Sequence, residues 1–335
     1  MTADLMRHDD HPADMVLPPV VAIGASAGGV GALRELVGAL PTDFPAAVLV
    51  VLHVSATAPS HLAEILARST DLPVVPATDL GELEPGTVYV ASPDRHLEIR
   101  HGRMHVWRGP RENGHRPSID ALFRSVASTL GPSAAGVLLT GMLDDGVAGL
   151  MELKEAGGAT LVQDPEEALF PSMPRAAVAA GAADQVLRIE QMADAIQLLD
   201  LRPATISLID EEPQASAPPI DDPGEPSPFS CPSCGGVLRQ ARSRGELEHF
   251  QCRVGHRFSP DSLLEAQSTQ LDEAMWAGFR SLKEQAELSR RIASRLERID
   301  SGQRAHTYEH RALEADRRAD ILYESLSAQT EDVPD

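Results

Sequence analysis

Ser26 lies in a glycine-rich segment whose spacing suits nucleophilic chemistry. Gly24–Gly29 follows the apolar run Val20–Ile23 and fits the pattern G-x-S-x-G. This pattern presents a serine hydroxyl on a tight strand-to-helix turn, where helix N–H groups can stabilise an oxyanion. Two other interpretations stay open. One is a phosphate-binding loop, because G-x-S-x-x-G differs by one residue from the dinucleotide fingerprint. The other is a structural glycine turn.

His53 and the pair Asp144-Asp145 could supply the base and the acid that a serine nucleophile needs. His53 ends the second apolar run, and the two aspartates follow a later one. The C-terminal ends of parallel strands lie at one edge of a sheet, so these side chains should converge on Ser26. The alternatives are a histidine that caps its strand and an aspartate that caps the helix predicted after it.

Three cysteines and a histidine form a second candidate site. Cys231-x-x-Cys234 and Cys252-x-x-x-His256 are separated by 17 residues. Two short-spaced ligand pairs with three sulfurs and one imidazole suit a closed tetrahedral zinc site, which would fold a small ribbon-like module. His249 is a weaker candidate for the fourth ligand. The alternative is three free thiols beside an unrelated histidine.

From about residue 19 to 201, apolar strands alternate with helices. These are the elements that must position Ser26, His53 and the aspartates. This pattern predicts an α/β fold with a doubly wound, mostly parallel sheet covered by helices on both faces. His96–Arg100 and Met104–Trp107 are predicted to form a hairpin. Helices are predicted at 28–40, 60–67, 119–130, 147–156, 174–180 and 189–199.

Composition divides the chain into further segments. Residues 204–228 carry many prolines and acidic residues and no basic residue, which predicts an extended linker. Residues 261–327 show helical periodicity with one apolar stripe, and Ser301-Gly302 interrupts it, so a helical hairpin is expected. Such helices could serve self-association or partner docking, or pack locally on the cysteine module. The predicted segments are a disordered lead (1–17), a catalytic domain (18–201), a linker (202–228), a zinc ribbon (229–260), amphipathic helices (261–327) and a disordered tail (328–335). The apolar stripe predicted in the amphipathic helices comprises Leu264, Leu271, Met275, Phe279, Leu282, Leu288, Ile292, Leu296 and Ile299.

Charge and composition exclude several classes of function. The 335 residues carry 29 basic and 50 acidic side chains, a net charge of −21, and only 4% aromatic residues. A chain this acidic repels nucleic acid and anionic membranes. Ala46–Leu52 is among the longest apolar runs and is far shorter than the ~20 residues that span a bilayer. The absence of a secretory signal and the odd cysteine count predict a cytoplasmic protein without membrane insertion.

Several spaced motifs together resemble the catalytic domain of CheB-type chemotaxis protein-glutamate methylesterases. The resemblance spans about residues 19–199, over half of the chain. The motifs that carry it are Gly24–Gly29, Leu52-His53, Arg116–Phe123, Leu139–Gly146, Gln163-Asp164 and Met173–Arg175.

The resemblance implies roles for individual residues. It implies Ser26 as nucleophile, His53 as base and Asp145 as the residue that orients the histidine. Asp145 is preferred to Asp144 because it immediately precedes the glycine of the motif. The resemblance also implies an oxyanion hole formed by two backbone N–H groups, those of Ala27 and Met142.

The implied reaction is hydrolysis of glutamyl methyl esters on a methylated chemoreceptor or similar signalling protein, with glutamine deamidation as a side activity and no catalytic cofactor. Family members usually carry an N-terminal phosphoryl-receiver domain. Fewer than twenty residues precede the first predicted strand, so we expect no such domain here. The alternatives are a catalytically silent adaptor that works through its C-terminal module and a phosphate or nucleotide binder.

Overall fold

The protein is described by a computed structural model that covers residues 14–57, 60–207, 224–242, 247–298 and 302–328. The chain divides into two compact units, Met1–Leu263 and Leu264–Asp335. The first unit contains the predicted catalytic domain and the cysteine module, and the described part of the second is formed by helices.

The described residues form strands and helices in the following order along the chain. The strands are β1 (Asp14–Leu17), β2 (Val20–Ala25), β3 (Ala47–Leu52), β4 (Val74–Pro76), β5 (Val88–Val90), β6 (His96–Arg100), β7 (Arg103–Trp107), β8 (Ala134–Leu138), β9 (Ala159–Gln163), β10 (Gln185–Leu187), β11 (Ala204–Ser207), β12 (Glu225–Ser230), β13 (Val237–Arg242), β14 (Glu248–Cys252) and β15 (Arg257–Phe258). The helices are α1 (Gly29–Gly38), α2 (Leu62–Ala67), α3 (Ile119–Leu130), α4 (Val147–Glu155), α5 (Ser172–Ala179), α6 (Ile189–Gln197), α7 (Pro260–Glu297) and α8 (Gly302–Ala328).

Seven strands form one parallel sheet in the order β10-β9-β8-β2-β3-β5-β4. The predicted doubly wound α/β fold is confirmed. β2 lies between β8 and β3, with Val20 opposite both Ala134 and Ala47. The strands that precede Ser26, His53 and Asp145 are therefore neighbours, and their C-terminal ends lie at the same edge.

The sheet is covered on both faces because its central strands are apolar at every position. In β2, Val20 and Ala22 belong to one core cluster, whereas Val21 and Ile23 belong to the other. This alternation follows from the two-residue period of a strand. Residues of α3, α4, α5 and the β6–β7 hairpin pack in the first cluster, and residues of α1, α2 and α6 pack in the second.

The structure departs from the predicted segments at their edges. Asp14–Leu17, assigned to a disordered lead, pairs antiparallel with Ala204–Ser207, assigned to the linker. Gln185–Leu187 adds a parallel edge strand that was not predicted. These strands are short and depend on partners distant in sequence, so local periodicity does not reveal them. Residues 1–13, 208–223 and 329–335, which hold most of the predicted lead, linker and tail, lie outside the described residues.

The cysteine module is a four-stranded antiparallel sheet in the order β12-β13-β14-β15. It begins at Glu225, a few residues before the predicted boundary at 229. Its small core includes Leu238, Phe250 and Phe258, which are almost fully buried.

The second unit is a pair of antiparallel helices formed by α7 and α8. Trp276 contacts Tyr323, whereas Arg290 pairs with Asp316 nearer the C-terminal end of α7. The buried positions are mainly alanines: Ala286, Ala293, Ala305, Ala312, Ala315 and Ala319.

The predicted apolar stripe of this unit is wrong at several positions. Leu264, Leu271 and Leu288 are exposed, although they were assigned to the stripe. Leu288 lies two residues from the buried Ala286, a rotation of about 200° around the helix, so it cannot share its face. The predicted stripe residue Ile299 and the break at Ser301 lie outside the described residues. No helix in the described ranges is both long and apolar enough to cross a membrane.

Candidate active site and metal site

Ser26 lies in the turn between β2 and α1, at the C-terminal edge of the sheet. Gly28 adopts a left-handed conformation with φ +74°, which a glycine tolerates without strain. A side chain at Gly24 would overlap Ile119, so the strand can pass beneath α3 only without a Cβ here. The Ser26 N–H donates to the Thr140 carbonyl at 3.0 Å, which ties the turn to the segment after β8.

Ser26, His53 and Asp145 form a chain of hydrogen bonds. Ser26 Oγ lies 3.0 Å from His53 Nδ1, and His53 Nε2 lies 2.7 Å from Asp145 Oδ2. Ser26 is partly exposed, whereas Asp145 is only 1% exposed. The chain therefore leads from an accessible hydroxyl to a buried carboxylate.

The partners of His53 determine which ring nitrogen carries the proton. An ionised carboxylate can only accept, so Nε2 must carry the proton that it donates to Asp145. Nδ1 is then unprotonated and accepts from the Ser26 hydroxyl. Chymotrypsin-type triads use the opposite nitrogens. The same proton transfer is available here with the ring reversed.

Buried donors surround the Asp145 carboxylate. Oδ1 accepts from Ser118 Oγ at 2.9 Å and from Asn113 Nδ2 at 2.8 Å, and Oδ2 accepts from the Ile119 N–H at 2.7 Å. The last of these belongs to the first turn of α3, where the helix dipole favours a negative charge. Burial disfavours the charged form, but the hydrogen bonds and the charge of His53 outweigh it and hold the pKa of Asp145 well below its usual range.

Asp120 is a second buried carboxyl beside Asp145. Its oxygens accept from the Gly149 N–H at 2.7 Å and from Asn113 Nδ2 at 2.9 Å. Burial, together with the charge of Asp145, raises the pKa of Asp120 well above its usual value. Two like charges in one buried site are unfavourable, so the negative charge is concentrated on Asp145.

Asp144 bonds to Ser259, whereas the histidine bonds to Asp145. Asp144 Oδ1 accepts from Ser259 Oγ at 2.8 Å, and burial raises the pKa of Asp144 to about 6. Neither aspartate caps α4, because the N-cap position is Gly146 and the carboxylate that accepts from the first turn, at the Gly149 N–H, is that of Asp120. The helix-capping alternative considered for these aspartates is therefore wrong.

His115 stacks on the ring of His53, with centroids 3.6 Å apart and planes 10° from parallel. Burial, reinforced by the neighbouring His53, lowers the pKa of His115 to about 4. A neutral His115 covers one face of His53 without adding a competing positive charge.

The implied oxyanion donors lie near Ser26. Ala27 follows Ser26 within the turn, and its carbonyl accepts from Thr140 Oγ1 at 3.1 Å. Met142 follows Gly141, where a Cβ would lie 2.9 Å from the Cβ of Ser26. The Met142 side chain is 56% exposed. Both backbone segments therefore border the serine.

Cys231, Cys234, Cys252 and His256 form a group that could hold a metal ion, with all four ligand atoms within 4.8 Å of one another. Cys234 Sγ lies 3.7 Å from Cys252 Sγ, and His256 Nδ1 lies 3.5 Å from Cys252 Sγ and 3.7 Å from Cys231 Sγ. Bond lengths of about 2.3 Å to sulfur and 2.0–2.1 Å to nitrogen give tetrahedral edges of this size. The weaker candidate His249 instead lies 2.8 Å from Arg257 Nη2.

Sequence reasoning missed several residues of this site. Ser118 was part of a matched motif but received no role, and His115 and Asn113 were not singled out. Asn113-Gly114 is a turn signal, and both residues have positive φ in the structure. That signal predicts a tight turn. It does not predict that the Asn113 side chain lies beside the Asp145 carboxylate.

Comparison with known proteins agrees with this architecture. A family model described as CheB methylesterase matches residues 21–196. The crystal structure of the Thermotoga maritima CheB methylesterase catalytic domain matches with a TM-score of 0.51 and 31% identity, over 53% of this chain and 96% of that one.

Curated relatives match the same part of the chain. A protein-glutamate methylesterase/protein-glutamine glutaminase of Xanthomonas euvesicatoria is 42% identical over 184 residues, which are 54% of this chain and 51% of that protein. One from Myxococcus xanthus is 44% identical over 177 residues, 52% of this chain and 50% of that protein. The chain spans about half the length of the curated relatives it matches. Since the family model covers more than half of the residues here and the sheet agrees with it, the chain belongs to the CheB methylesterase family.

Proposed function

We propose that this chain is a serine esterase that hydrolyses glutamyl methyl esters on proteins to glutamate and methanol. The observation that carries the proposal is the hydrogen-bonded chain from Ser26 through His53 to the buried Asp145. Because all three residues and both hydrogen bonds between them are present, an enzyme is favoured over a catalytically silent adaptor. A histidine after β3, where a dinucleotide-binding site has an acidic residue, disfavours a nucleotide binder.

In the proposed mechanism His53 Nδ1 takes the proton of Ser26 as Oγ attacks the ester carbonyl. Asp145 holds the ring in the required tautomer and stabilises the imidazolium. The N–H groups of Ala27 and Met142 receive the oxyanion, and loss of one such donor typically lowers the rate about 10²–10³-fold. Methanol leaves after protonation by His53, and water then attacks the acyl-enzyme with His53 again as base.

By the same mechanism, Ser26 could attack the side-chain amide of a glutamine, with ammonia as the leaving group in place of methanol. The relatives are named as glutaminases as well as methylesterases, which supports this second activity. Neither reaction requires a cofactor at the serine site, because the base and the oxyanion donors are protein groups.

We infer that the substrate is a methylated chemoreceptor or a similar signalling protein, encountered in the cytoplasm. Exposed apolar side chains near Ser26 support a macromolecular substrate: Leu169 is 73% exposed, Met142 56% and Phe170 37%. Leu169 and Phe170 border the turn at Gly28. Apolar groups beside a reactive hydroxyl suit a protein surface better than a small charged molecule.

We also propose that Cys231, Cys234, Cys252 and His256 bind a structural Zn²⁺. Four protein ligands leave no open position for catalysis. The ion would stabilise a module that is too small to be stable through its own core.

The esterase proposal is tested by methanol release from a methylated receptor fragment. Wild-type protein should release methanol, and Ser26→Ala should abolish the release. Ser128→Ala is a matched control, since Ser128 is exposed on α3 and its Oγ donates only to Ser125 O. If Ser26→Ala releases methanol at the wild-type rate, the proposed nucleophile is wrong. If folded wild-type protein releases none, the adaptor interpretation is favoured.

A further inference from the structure

The cysteine module pairs directly with the segment that carries Asn113. β15 lies parallel to this segment, with a bridge between Glu112 and Arg257. The Arg257 N–H donates to the Arg111 carbonyl at 3.2 Å, and the Asn113 N–H donates to the Arg257 carbonyl at 2.7 Å. The module therefore meets the catalytic domain through backbone hydrogen bonds as well as side chains.

The beginning of α7 contacts the Asn113 side chain. The Ser259 N–H and the Ser262 hydroxyl both donate to Asn113 Oδ1, each at 2.9 Å. Ser262 is 3% exposed and Asn113 is 8% exposed. Ser259 Oγ accepts from the Ser262 N–H at 3.1 Å, which caps the helix, and it donates to Asp144 Oδ1.

These contacts determine which way the Asn113 amide points. A backbone N–H can only donate, so the amide oxygen must face Ser259 and the amino group must face the opposite direction. There Nδ2 donates to Asp145 Oδ1 at 2.8 Å and to Asp120 Oδ2 at 2.9 Å. One buried amide thus joins the module to the carboxylate that holds His53.

We propose that the cysteine module, together with the first turn of α7 that follows it, acts in cis as a positioning element for the esterase site, with Asn113 as the positioning residue that connects Ser259 and Ser262 to Asp145. This inference rests on the proposed function of Ser26, His53 and Asp145. Detaching the start of α7 from Asn113 removes the donors that orient its amide, and Asp145 loses a hydrogen bond. The turnover of the full chain therefore depends on the docked module.

The test combines kinetics with a spectroscopic readout, both on the full chain. Kinetics measure kcat and KM for methanol release by wild type, Ser262→Ala, Asn113→Ala and the double variant. Proton NMR follows the downfield resonance of the proton between His53 Nε2 and Asp145 Oδ2, which is observable without any substrate. Ser262→Thr keeps the hydroxyl, and Ser268→Ala is the matched control, because Ser268 Oγ bonds only within α7.

Loss of one hydrogen bond to a charged group should lower kcat about tenfold or more in Asn113→Ala, with KM unchanged. Ser262→Ala should lower kcat about threefold to tenfold, because it removes a neutral hydrogen bond. The double variant should match Asn113→Ala, since residues that act through one another are not additive. The resonance should move in Ser262→Ala and Asn113→Ala, and stay in place in Ser262→Thr and Ser268→Ala.

The proposal is overturned if Ser262→Ala leaves both kcat and the resonance at wild-type values while Ser26→Ala abolishes methanol release. It is also overturned if the effects of Ser262→Ala and Asn113→Ala add in the double variant. If instead Ser26→Ala retains activity while the resonance still moves in Ser262→Ala, the coupling holds and the proposed nucleophile is wrong.

Discussion

At the scale of single residues, His53 has two partners with different requirements. It must accept a proton from Ser26 at Nδ1 while its Nε2–H is held by Asp145, at distances of 3.0 and 2.7 Å. Only an acceptor at Asp145 keeps the proton on Nε2. The neighbouring Asp144 cannot replace it, because its carboxylate bonds to Ser259.

Asp145→Asn should lower kcat roughly 10⁴-fold, as the same change does in a serine protease triad. An amide can donate to Nε2, which would leave the ring proton on Nδ1 and prevent acceptance from Ser26. Asp144→Asn should have a much smaller effect, since its Oδ1 can still accept from Ser259. Methanol-release kinetics of both variants check this prediction. A large loss in Asp144→Asn with a normal Asp145→Asn would transfer the role to Asp144.

His115 makes the stability of the folded protein depend on pH. Burial lowers its pKa to about 4, whereas an unfolded histidine titrates near 6.5. Between these values the unfolded chain binds more protons, so this contribution to stability is present above about pH 6.5 and is lost as the pH falls towards 4.

His115→Phe should keep the stacking on His53 and remove this pH dependence. The free energy of unfolding of wild type should fall between pH 7 and pH 5 by about 1–2 kcal/mol more than that of the variant. Urea titrations followed by circular dichroism at the two pH values measure the difference. His61→Gln, at an exposed histidine, should behave as wild type. Equal pH dependence in wild type and His115→Phe would contradict the assignment.

At the scale of elements, the N-terminal end of α3 lies against the buried carboxylate of Asp145. Its N-cap Ser118 accepts from the Ala121 N–H at 3.4 Å and donates to Asp145 at 2.9 Å. The Ile119 N–H donates to the other carboxylate oxygen. A helix N-terminus carries positive potential and unpaired N–H groups. One helix start therefore stabilises both itself and the ionised aspartate.

Ser118→Ala should reduce both stability and turnover. Loss of the N-cap typically costs about 0.5–2 kcal/mol, and Asp145 would lose one donor at the same time. Tm and kcat should both fall, with KM unchanged. Ser128→Ala near the end of the same helix should leave both near wild type. A variant with a lowered Tm but normal kcat would show that Ser118 stabilises only the helix.

At the scale of the whole molecule, distant parts of the chain converge on one sheet edge. Ser26 and His53 follow adjacent strands, and Asp145 arrives 92 residues after His53. The cysteine module begins 80 residues further on, at Glu225, and contacts the same carboxylate region through Ser259 and Asp144, which are 115 residues apart. The integrity of this module is therefore expected to affect a site that contains none of its residues.

The metal proposal predicts that the zinc content, the folding of the cysteine module and the turnover of the enzyme all depend on Cys234. The purified chain should carry about one equivalent of zinc by elemental analysis, and Cys234→Ser should lose it. Loss of the ion should loosen β12–β15 and lower kcat through the contacts at Asn113. Ser233→Ala is the control, because it alters the same exposed turn without removing a ligand. A Cys234→Ser protein that stays folded and metal-loaded would exclude this ligand set.

Local patterns in the sequence predicted the features that depend on local chemistry. Apolar runs such as Ala47–Leu52 are long enough to indicate buried parallel strands, and parallel strands bring their following residues to one edge. This predicted that Ser26, His53 and an aspartate would converge. The short spacings at Cys231-Cys234 and Cys252–His256 likewise predicted which residues could share a metal.

The tertiary structure alone gives the physical reason for the choice between near-equivalent residues, and it alone decided the contacts across long separations. Asp144 and Asp145 are adjacent and chemically identical, and only the packing of α3 and of the module directs one to His53 and the other to Ser259. The pairing of Asp14–Leu17 with Ala204–Ser207 and the burial of alanines in α7 and α8 likewise depend on partners that no local period reveals. Side-chain direction at these positions depends on packing between segments far apart in the chain, because neighbours in sequence have the same local propensities.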